Sequence, residues 1–259
     1  MSKAYLPTVS IVTITQYSRR KCLENLRELI KDQIYKNIIE WVIVEGSKTQ
    51  EDADNNAEYL ESQADQLALL ELNVIYIPYK SRNDEPHALS DLRNESNLRS
   101  KGDIIVCMDD DDYYPPTRVS HAVYRLNTSK KLIAGCSKNY IYFYETDQFF
   151  KFKGFGENHS INNCMAYKRE YLYENAYDYG LNKAEESSFT KHFTEPMEQL
   201  EPDKCVVMSA HNKNTVDKSW MCNNSTQAGK NRMVIELPSS LIHDHIPPHI
   251  MERMKNMLK

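Results

Sequence analysis

Residues 103–116 read DIIVCMDDDDYYPP, and the change of character at Asp109 decides the fold. Asp103 to Met108 is a short run rich in apolar and β-branched residues, the pattern of a strand buried within a sheet. Asp109, Asp110, Asp111 and Asp112 then stand where that strand ends, followed by Tyr113, Tyr114, Pro115 and Pro116. In open parallel sheets, ligands gather beyond the carboxyl ends of the strands. Side-by-side carboxylates repel, and a divalent cation relieves that repulsion most directly. Mg2+ and Mn2+ prefer oxygen ligands and share them with phosphates. A solvated acidic turn is the plain alternative for such a run in isolation; its place after a buried strand favours a ligand site.

Upstream, strands and helices alternate. Val9 to Thr15 (VSIVTIT) predicts a buried strand, and Ser18 a cap for the helix after it. From Arg19 to Lys36, Leu23, Leu26, Ile30 and Ile34 recur every three or four positions and predict an amphipathic helix. Ile38 to Val44 (IIEWVIV) predicts a second strand ending at Glu45-Gly46-Ser47. Strand, helix, strand implies a parallel pair with a right-handed crossover. Ala57, Leu60, Ala64, Leu67 and Leu70 give a weaker helical pattern, and Leu72 to Ile77 a third strand. Pro86 suits a first helical turn, Leu89, Leu92 and the Leu98 region supply a face, and Gly102 stands where a left-handed cap belongs. The fold class is therefore α/β with a mostly parallel central sheet flanked by helices.

Beyond Pro116 the regularity ends. A helix is expected around Thr117 to Leu126, with strand-like runs at Leu132 to Cys136 and at the aromatic-rich Tyr140 to Phe152. Cys164 to Tyr167, a helix from Arg169, an acidic helical piece at Ala184 to Phe193 and a strand at Cys205 to Ser209 complete a mixed second half. One domain over 1–259 is expected: a half at about 1–125, a second at about 126–225 and an extension over 226–259.

Composition narrows the function. A net charge of −5 gives no broad basic field, so nucleic acid is excluded as the main partner. No apolar run approaches the ~20 residues a membrane-spanning helix needs, and Met1 to Thr15 lacks a clear cleavage site, so a cytoplasmic protein without a signal peptide is expected. The sequons at Asn94, Asn127, Asn158, Asn223 and Asn224 then carry little weight. Six cysteines without a C-x-x-C pair read as reduced, buried thiols. Tyr113 and Tyr114 occupy the fifth and sixth positions counted from Asp109, where an EF-hand loop needs a ligand and then a glycine. With only 7 glycines and no glycine-rich loop near the start, a nucleotidyltransferase holding a triphosphate is disfavoured.

Two segments, VSIVTITQYSRRKCLENLRELIKDQIYKNIIEWVIVEGS and LRNESNLRSKGDIIVCMDDDDYYPP, resemble family 2 glycosyltransferases of the GT-A fold, well over residues 8 to 125 and loosely beyond. The matching features are a first strand with a Thr-x-x-x-Arg turn, a second strand ending in an acidic residue with Gly-Ser, an Arg-Asn helix and D-x-D-D followed by an aromatic and a proline. The resemblance implies that Thr13, Thr15 and Arg19 line a nucleotide pocket and that Glu45, where the family usually has aspartate, faces base or ribose. It implies that Arg93 approaches the diphosphate, a surface helix salt bridge being the alternative. Asp109 and Asp110 fall on the donor side, Asp109 and Asp111 at the cation, and Asp112 beside the donor sugar or the metal waters.

The implied cofactor is Mn2+ or Mg2+, the donor a nucleotide sugar, in the first instance a UDP-sugar, and the acceptor a glycan, protein or lipid-linked hydroxyl. The oligomeric state stays open. In the Ala184-Glu185-Glu186-Ser187 segment the acceptor base of an inverting reaction is Glu186, or else Glu185; an ordinary acidic helical turn is the alternative. His211 resembles a histidine that completes metal or diphosphate binding, a lone surface histidine being the alternative. His243, His245 and His249 form a further metal-type cluster or an exposed tail, and the aromatics at 140–155 a sugar platform or a sheet core. Glutamate at positions 45 and 186 also admits a non-catalytic GT-A-like module that binds nucleotide or glycan.

Overall fold

The structure is a computed structural model that describes residues 6–16, 19–78, 87–212, 214, 218 and 233–258. Ser18, Pro86, Cys222, Asn223 and Asn224 lie outside the described residues.

The first strand, β1 (Val9–Thr15), pairs in parallel with β2 (Ile38–Glu45) on one side and β4 (Ile104–Cys107) on the other, and β2 pairs in parallel with β3 (Asn73–Pro78). Short strands extend this sheet: β5 (Ile133–Gly135), β8 (Ala166–Lys168) and β9 (Met197–Gln199), giving the order β3-β2-β1-β4-β8-β5-β9. A second sheet has the order β10-β6-β7-β11, from β6 (Tyr140–Phe143), β7 (Gln148–Phe152), β10 (Val207–Ala210) and β11 (Val234–Leu237). The chain runs outward from β1 to β3 and returns to place β4 on the other side of β1. Strand order therefore reverses between β1 and β4, and a crevice opens at that reversal.

Helix α1 (Arg20–Lys31) buries Cys22, Leu23, Leu26, Leu29 and Ile30. Leu26 is fully buried, and its truncation to alanine should cost roughly 2–5 kcal/mol. The expected extension to Lys36 does not form. Gln33 Nε2 donates to Leu29 O at 3.1 Å, Tyr35 turns inward to donate to Pro7 O, and Ile34 is left exposed.

The pattern expected over 57–70 divides into α2 (Gln50–Ser62), whose Thr49 hydroxyl accepts from Asp52 N, and α3 (Ala64–Ala68). Helix α4 (Leu89–Arg99) turns Leu92, Arg93, Ser96 and Asn97 inward, while Leu98, expected on its face, points to solvent. Gly102 does not adopt positive φ; it is needed because β1 passes so close that a Cβ would lie 2.5 Å from Ser10 N.

Helix α5 (Arg118–Thr128) forms as expected, whereas Arg169–Tyr173 is a 3-10 turn and the acidic piece contracts to α6 (Glu186–Phe189). Lys191, His192 and Phe193 all have φ between 49° and 59°, and this left-handed turn ends α6. At the C-terminus α7 (Ile242–His245) and α8 (Pro248–Leu258) are ordered, and α8 buries Ile250, Met251 and Met254. Arg253 on α8 donates to Asn25 Oδ1 on α1 at 2.6 Å.

His245 lies against the rings of Tyr140 and Phe149 at 4.2 and 5.2 Å, while His243 and His249 are exposed. The aromatics of β6 and β7 are sheet core, with Phe149 and Phe150 fully buried. Cys22, Cys107, Cys136, Cys164 and Cys205 are buried free thiols. Among the described residues no helix is long and apolar enough to cross a membrane.

Candidate functional site

The crevice between β1 and β4 is a cleft of about 270 Å³. Thr15, Gln16 and Arg19 line it from the end of β1, Leu92 and Arg93 from α4, and Asp109 to Asp112 from the end of β4. Ile161, Asn162 and Asn163 and the segment from Asn182 to Glu186 also line it, with Met208, Asn214 and Lys218.

The aspartates face different partners. Asp109 N donates to the Tyr114 hydroxyl at 2.6 Å, which anchors the start of the cluster, and the Asp109 carboxylate meets Arg93 Nη1 at 3.4 Å. Asp110 is fully buried and accepts from Thr15 Oγ1 at 2.7 Å and from Arg19 Nη1 at 2.8 Å. Burial pushes its carboxyl up to about 6, against the pull of Arg19. Asp111 Oδ2 accepts from Arg19 Nη1 at 3.0 Å and from Asn214 Nδ2 at 3.1 Å, and lies 3.1 Å from His211 Nε2. Burial alone would raise this group, but Arg19, His211 and Lys218 outweigh it and hold the carboxyl well below the usual range.

Asp112 accepts from Ser209 N at 2.7 Å and from Asn163 Nδ2 at 2.5 Å, and burial followed by repulsion from Asp111 pushes it up to about 8. Tyr113 and Val207 exchange backbone hydrogen bonds at 3.1 and 3.0 Å, fixing the cluster to β10. One buried site thus holds carboxyls with widely separated proton affinities.

Also in the lining, Ala184 has φ of 53°, a conformation uncommon for a residue with a side chain, directly before the two glutamates. Glu185 is buried and its Oε1 accepts from Arg93 Nε at 3.0 Å and from Asn162 Nδ2 at 2.9 Å. Arg93 is held fully protonated by Asp109 and Glu185, against the cost of its burial. Glu186 lines the cleft, accepts from Asn162 N at 3.3 Å, and is pushed up to about 7 by burial and by the charge of Glu185.

The cleft therefore brings together Thr15, Arg19, Arg93, Asp109, Asp110, Asp111, Asp112, Glu185 and Glu186, with His211 against Asp111. Thr13 is not among its lining. It lies one strand pleat deeper, donating to Met108 O at 2.8 Å and accepting from Trp41 Nε1 at 2.9 Å. Glu45 is also outside the lining: it is fully buried and drawn to Ser47 and to Asn56 on α2. Asn162, Asn163, Asn182 and Lys183 were not singled out from the sequence. The available signal was two amides directly before the apolar run at Cys164 to Tyr167, where polar side chains need buried partners.

A family model described as Glycosyl transferase family 2 matches residues 10–193. Among solved structures the chain is similar to the mannosyltransferase PcManGT from Pyrobaculum calidifontis, in complex with GDP-Man and Mn2+. Identity is 16% and TM-score 0.59, over 98% of this chain and 69% of that one. It is also similar to S. aureus TarS 1-349 in complex with UDP-GlcNAc, at 15% identity and TM-score 0.54, over 80% of this chain and 60% of that one. For S. aureus TarS itself the figures are 14% and 0.53, over 78% and 37%. The shared architecture is the GT-A fold. No curated protein matches the chain.

Proposed function

We propose that this chain, which belongs to glycosyl transferase family 2, transfers a sugar from a nucleotide sugar, in the first instance a UDP-sugar, to an acceptor hydroxyl with inversion. The observation that carries this is one cleft that holds both acidic groups. Asp109 to Asp112 line it at the end of β4 beside Arg19, and Glu186 lines it from the start of α6. A nucleotide diphosphate held at Arg19 and the aspartates would leave the anomeric carbon open to attack by a hydroxyl held at Glu186.

The bond changes balance without a further reactant. The acceptor oxygen forms a bond to the anomeric carbon while the carbon–oxygen bond to phosphate breaks, its electron pair leaving with the nucleoside diphosphate. Glu186 takes the hydroxyl proton, and a carboxylate with proton affinity near neutrality suits that role. Arg19 supplies fixed positive charge beside Asp110 and Asp111 where negative charge grows.

The residues present also fit a divalent cation. Asp111 Oδ2 and His211 Nε2 are in contact at 3.1 Å, and both are ligand types that Mn2+ accepts. Among the described residues no group of three His, Cys, Asp or Glu is arranged to hold an ion. An ion there would need phosphate oxygens and water to complete its ligands. Asp111 and His211 would hold the ion, with Asp109 on the same side of the cleft, and the bound cation would neutralise charge on the diphosphate.

A binding module without turnover is the second reading, motivated by glutamate at positions 45 and 186. Glu45 is outside the cleft lining and Glu186 keeps a carboxylate in it, so neither position removes the acidic group the reaction needs. The test is release of nucleoside diphosphate and transfer to a glycan acceptor panel from UDP- and GDP-sugars, with Mn2+ and with chelator. Transfer that is lost in folded Glu186→Gln supports the proposal. Tight donor binding without release from any donor rejects it in favour of the binding module.

A further inference from the structure

Glu185 and Glu186 are chemically identical neighbours at the start of a four-residue helix, yet the structure treats them differently. We propose that Asn162 is a positioning residue that makes them unequal: its side-chain amide, with Arg93, fixes Glu185 as a structural anion, and its backbone N–H steers Glu186 into the cleft. This rests on the reading of Glu186 as the acceptor base.

The amide of Asn162 has only one workable orientation. The Glu185 carboxylate, held by Arg93, can only accept, so Nδ2 must face Glu185 Oε1 at 2.9 Å, which leaves Oδ1 to accept from the Tyr177 hydroxyl. Glu185 Oε1 also accepts from Arg93 Nε at 3.0 Å, so this carboxylate is committed twice. The Glu186 carboxylate accepts from two backbone N–H groups, Asn162 N at 3.3 Å and its own, and lines the cleft.

Asn162 is itself buried and held from behind. Tyr177 N donates to Asn94 Oδ1 at 3.0 Å, Asn94 Nδ2 donates to Tyr177 O at 2.8 Å, and the Tyr177 ring stacks on Phe189 with centroids 4.1 Å apart. Helix α4 thereby sets the amide, and the amide sets the acidic pair. The charged groups around Glu186 are Glu185 beside it and Arg93 from α4. Lys183, Asp109 to Asp112, Arg19 and Lys218 line the rest of the cleft, and Tyr177 is the titratable neighbour behind.

The test compares Asn162→Ala, Asn162→Asp and Glu186→Gln in the full chain, each checked for folding by thermal melt, with the nucleotide sugar that supports turnover. Asn162→Ala should lower kcat by roughly tenfold to a hundredfold, the scale of a small misplacement, with donor KM essentially unchanged. Asn162→Asp places a new negative charge beside both glutamates, so the acidic limb of the pH–rate profile should move to higher pH. Tyr177→Phe, which removes one hydroxyl, should lower kcat in the same direction by less and serves if Asn162→Ala does not fold. If Glu186→Gln keeps full transfer, the base assignment itself falls. If Glu186→Gln is inactive while Asn162→Asp keeps the wild-type profile and Asn162→Ala or Tyr177→Phe keeps the wild-type kcat, the base stands and the positioning role is overturned.

Discussion

Arg93 Nε lies 3.0 Å from Glu185 Oε1, so one buried ion pair ties helix α4 to the start of α6 within the cleft lining. The guanidinium and carboxylate side chains are 11% and 5% exposed, too enclosed for water to replace a lost partner. Arg93→Met should therefore cost about 3–5 kcal/mol by stranding Glu185 as a buried charge. Arg93→Met with Glu185→Leu should recover part of that loss, since neither member of the pair then remains and only the more exposed Asp109 still lacks its contact with Arg93. Urea unfolding of the two single variants and the double variant measures the coupling; a single-variant loss of less than about 1 kcal/mol, the range of an exposed pair, would show that the pair does not hold α4 to α6.

Glu186 gives the protein a pH signature. Its carboxyl titrates near 7 in the fold, against about 4.3 in an unfolded chain. The folded state therefore holds the proton more tightly. The stability this provides is complete below about pH 4.3 and is lost as pH rises through about 7. Glu186→Gln cannot titrate, so its melting temperature should gain on the wild type between pH 5 and pH 8, and thermal melts at both ends of that window read the effect. Transfer should move the other way, falling as pH drops below about 7 and the base becomes protonated.

Gly102 is constrained by space. A Cβ there would lie 2.5 Å from Ser10 N and 2.7 Å from Val9 C, both backbone atoms of the central strand. Gly102→Ala should destabilise the protein at the upper end of the roughly 1–3 kcal/mol seen for overpacking. Gly46→Ala would meet Leu92 Cδ1 at 2.6 Å, the tip of a side chain that can rotate away, and should cost less. Denaturant melts of the two variants side by side give the comparison, and equal costs would mean that the β1 backbone yields as easily as Leu92.

The first half of the fold was legible because its strands are continuous apolar runs and α1 carries a clean helical stripe. The acidic cluster was legible for the same reason, since DIIVCM fixes where the sheet ends. What the sequence concealed depends on distant contacts. Strand β9 is three residues long and exists through pairing with the remote β5, whereas β5 itself falls inside the run expected at Leu132 to Cys136. Thr13 and Thr15 share a strand face in the same pattern, yet Trp41 and Met108 seal the first and the cleft takes the second. Asn162 carried no motif; its importance comes from Tyr177, Glu185 and Glu186 converging on it.

Asp111 and His211 provide the sharpest check on cation use. Their contact at 3.1 Å joins the end of β4 to the segment after β10, 100 positions apart in sequence. A divalent ion bound there with a nucleoside diphosphate should raise the melting temperature, because a ligand at a hundred times its Kd adds about 2.7 kcal/mol to the native state. Chelator should reverse the shift. Loss of partners that merely orient metal ligands costs roughly tenfold to a hundredfold in affinity, so Asp111→Ala and His211→Ala, which remove the ligands themselves, should weaken Mn2+ binding by at least that much. Titration calorimetry with Mn2+ and UDP reads the loss directly. Equal Mn2+ affinity in wild type, Asp111→Ala and His211→Ala would place any cation elsewhere and leave Arg19 as the charge that meets the departing diphosphate.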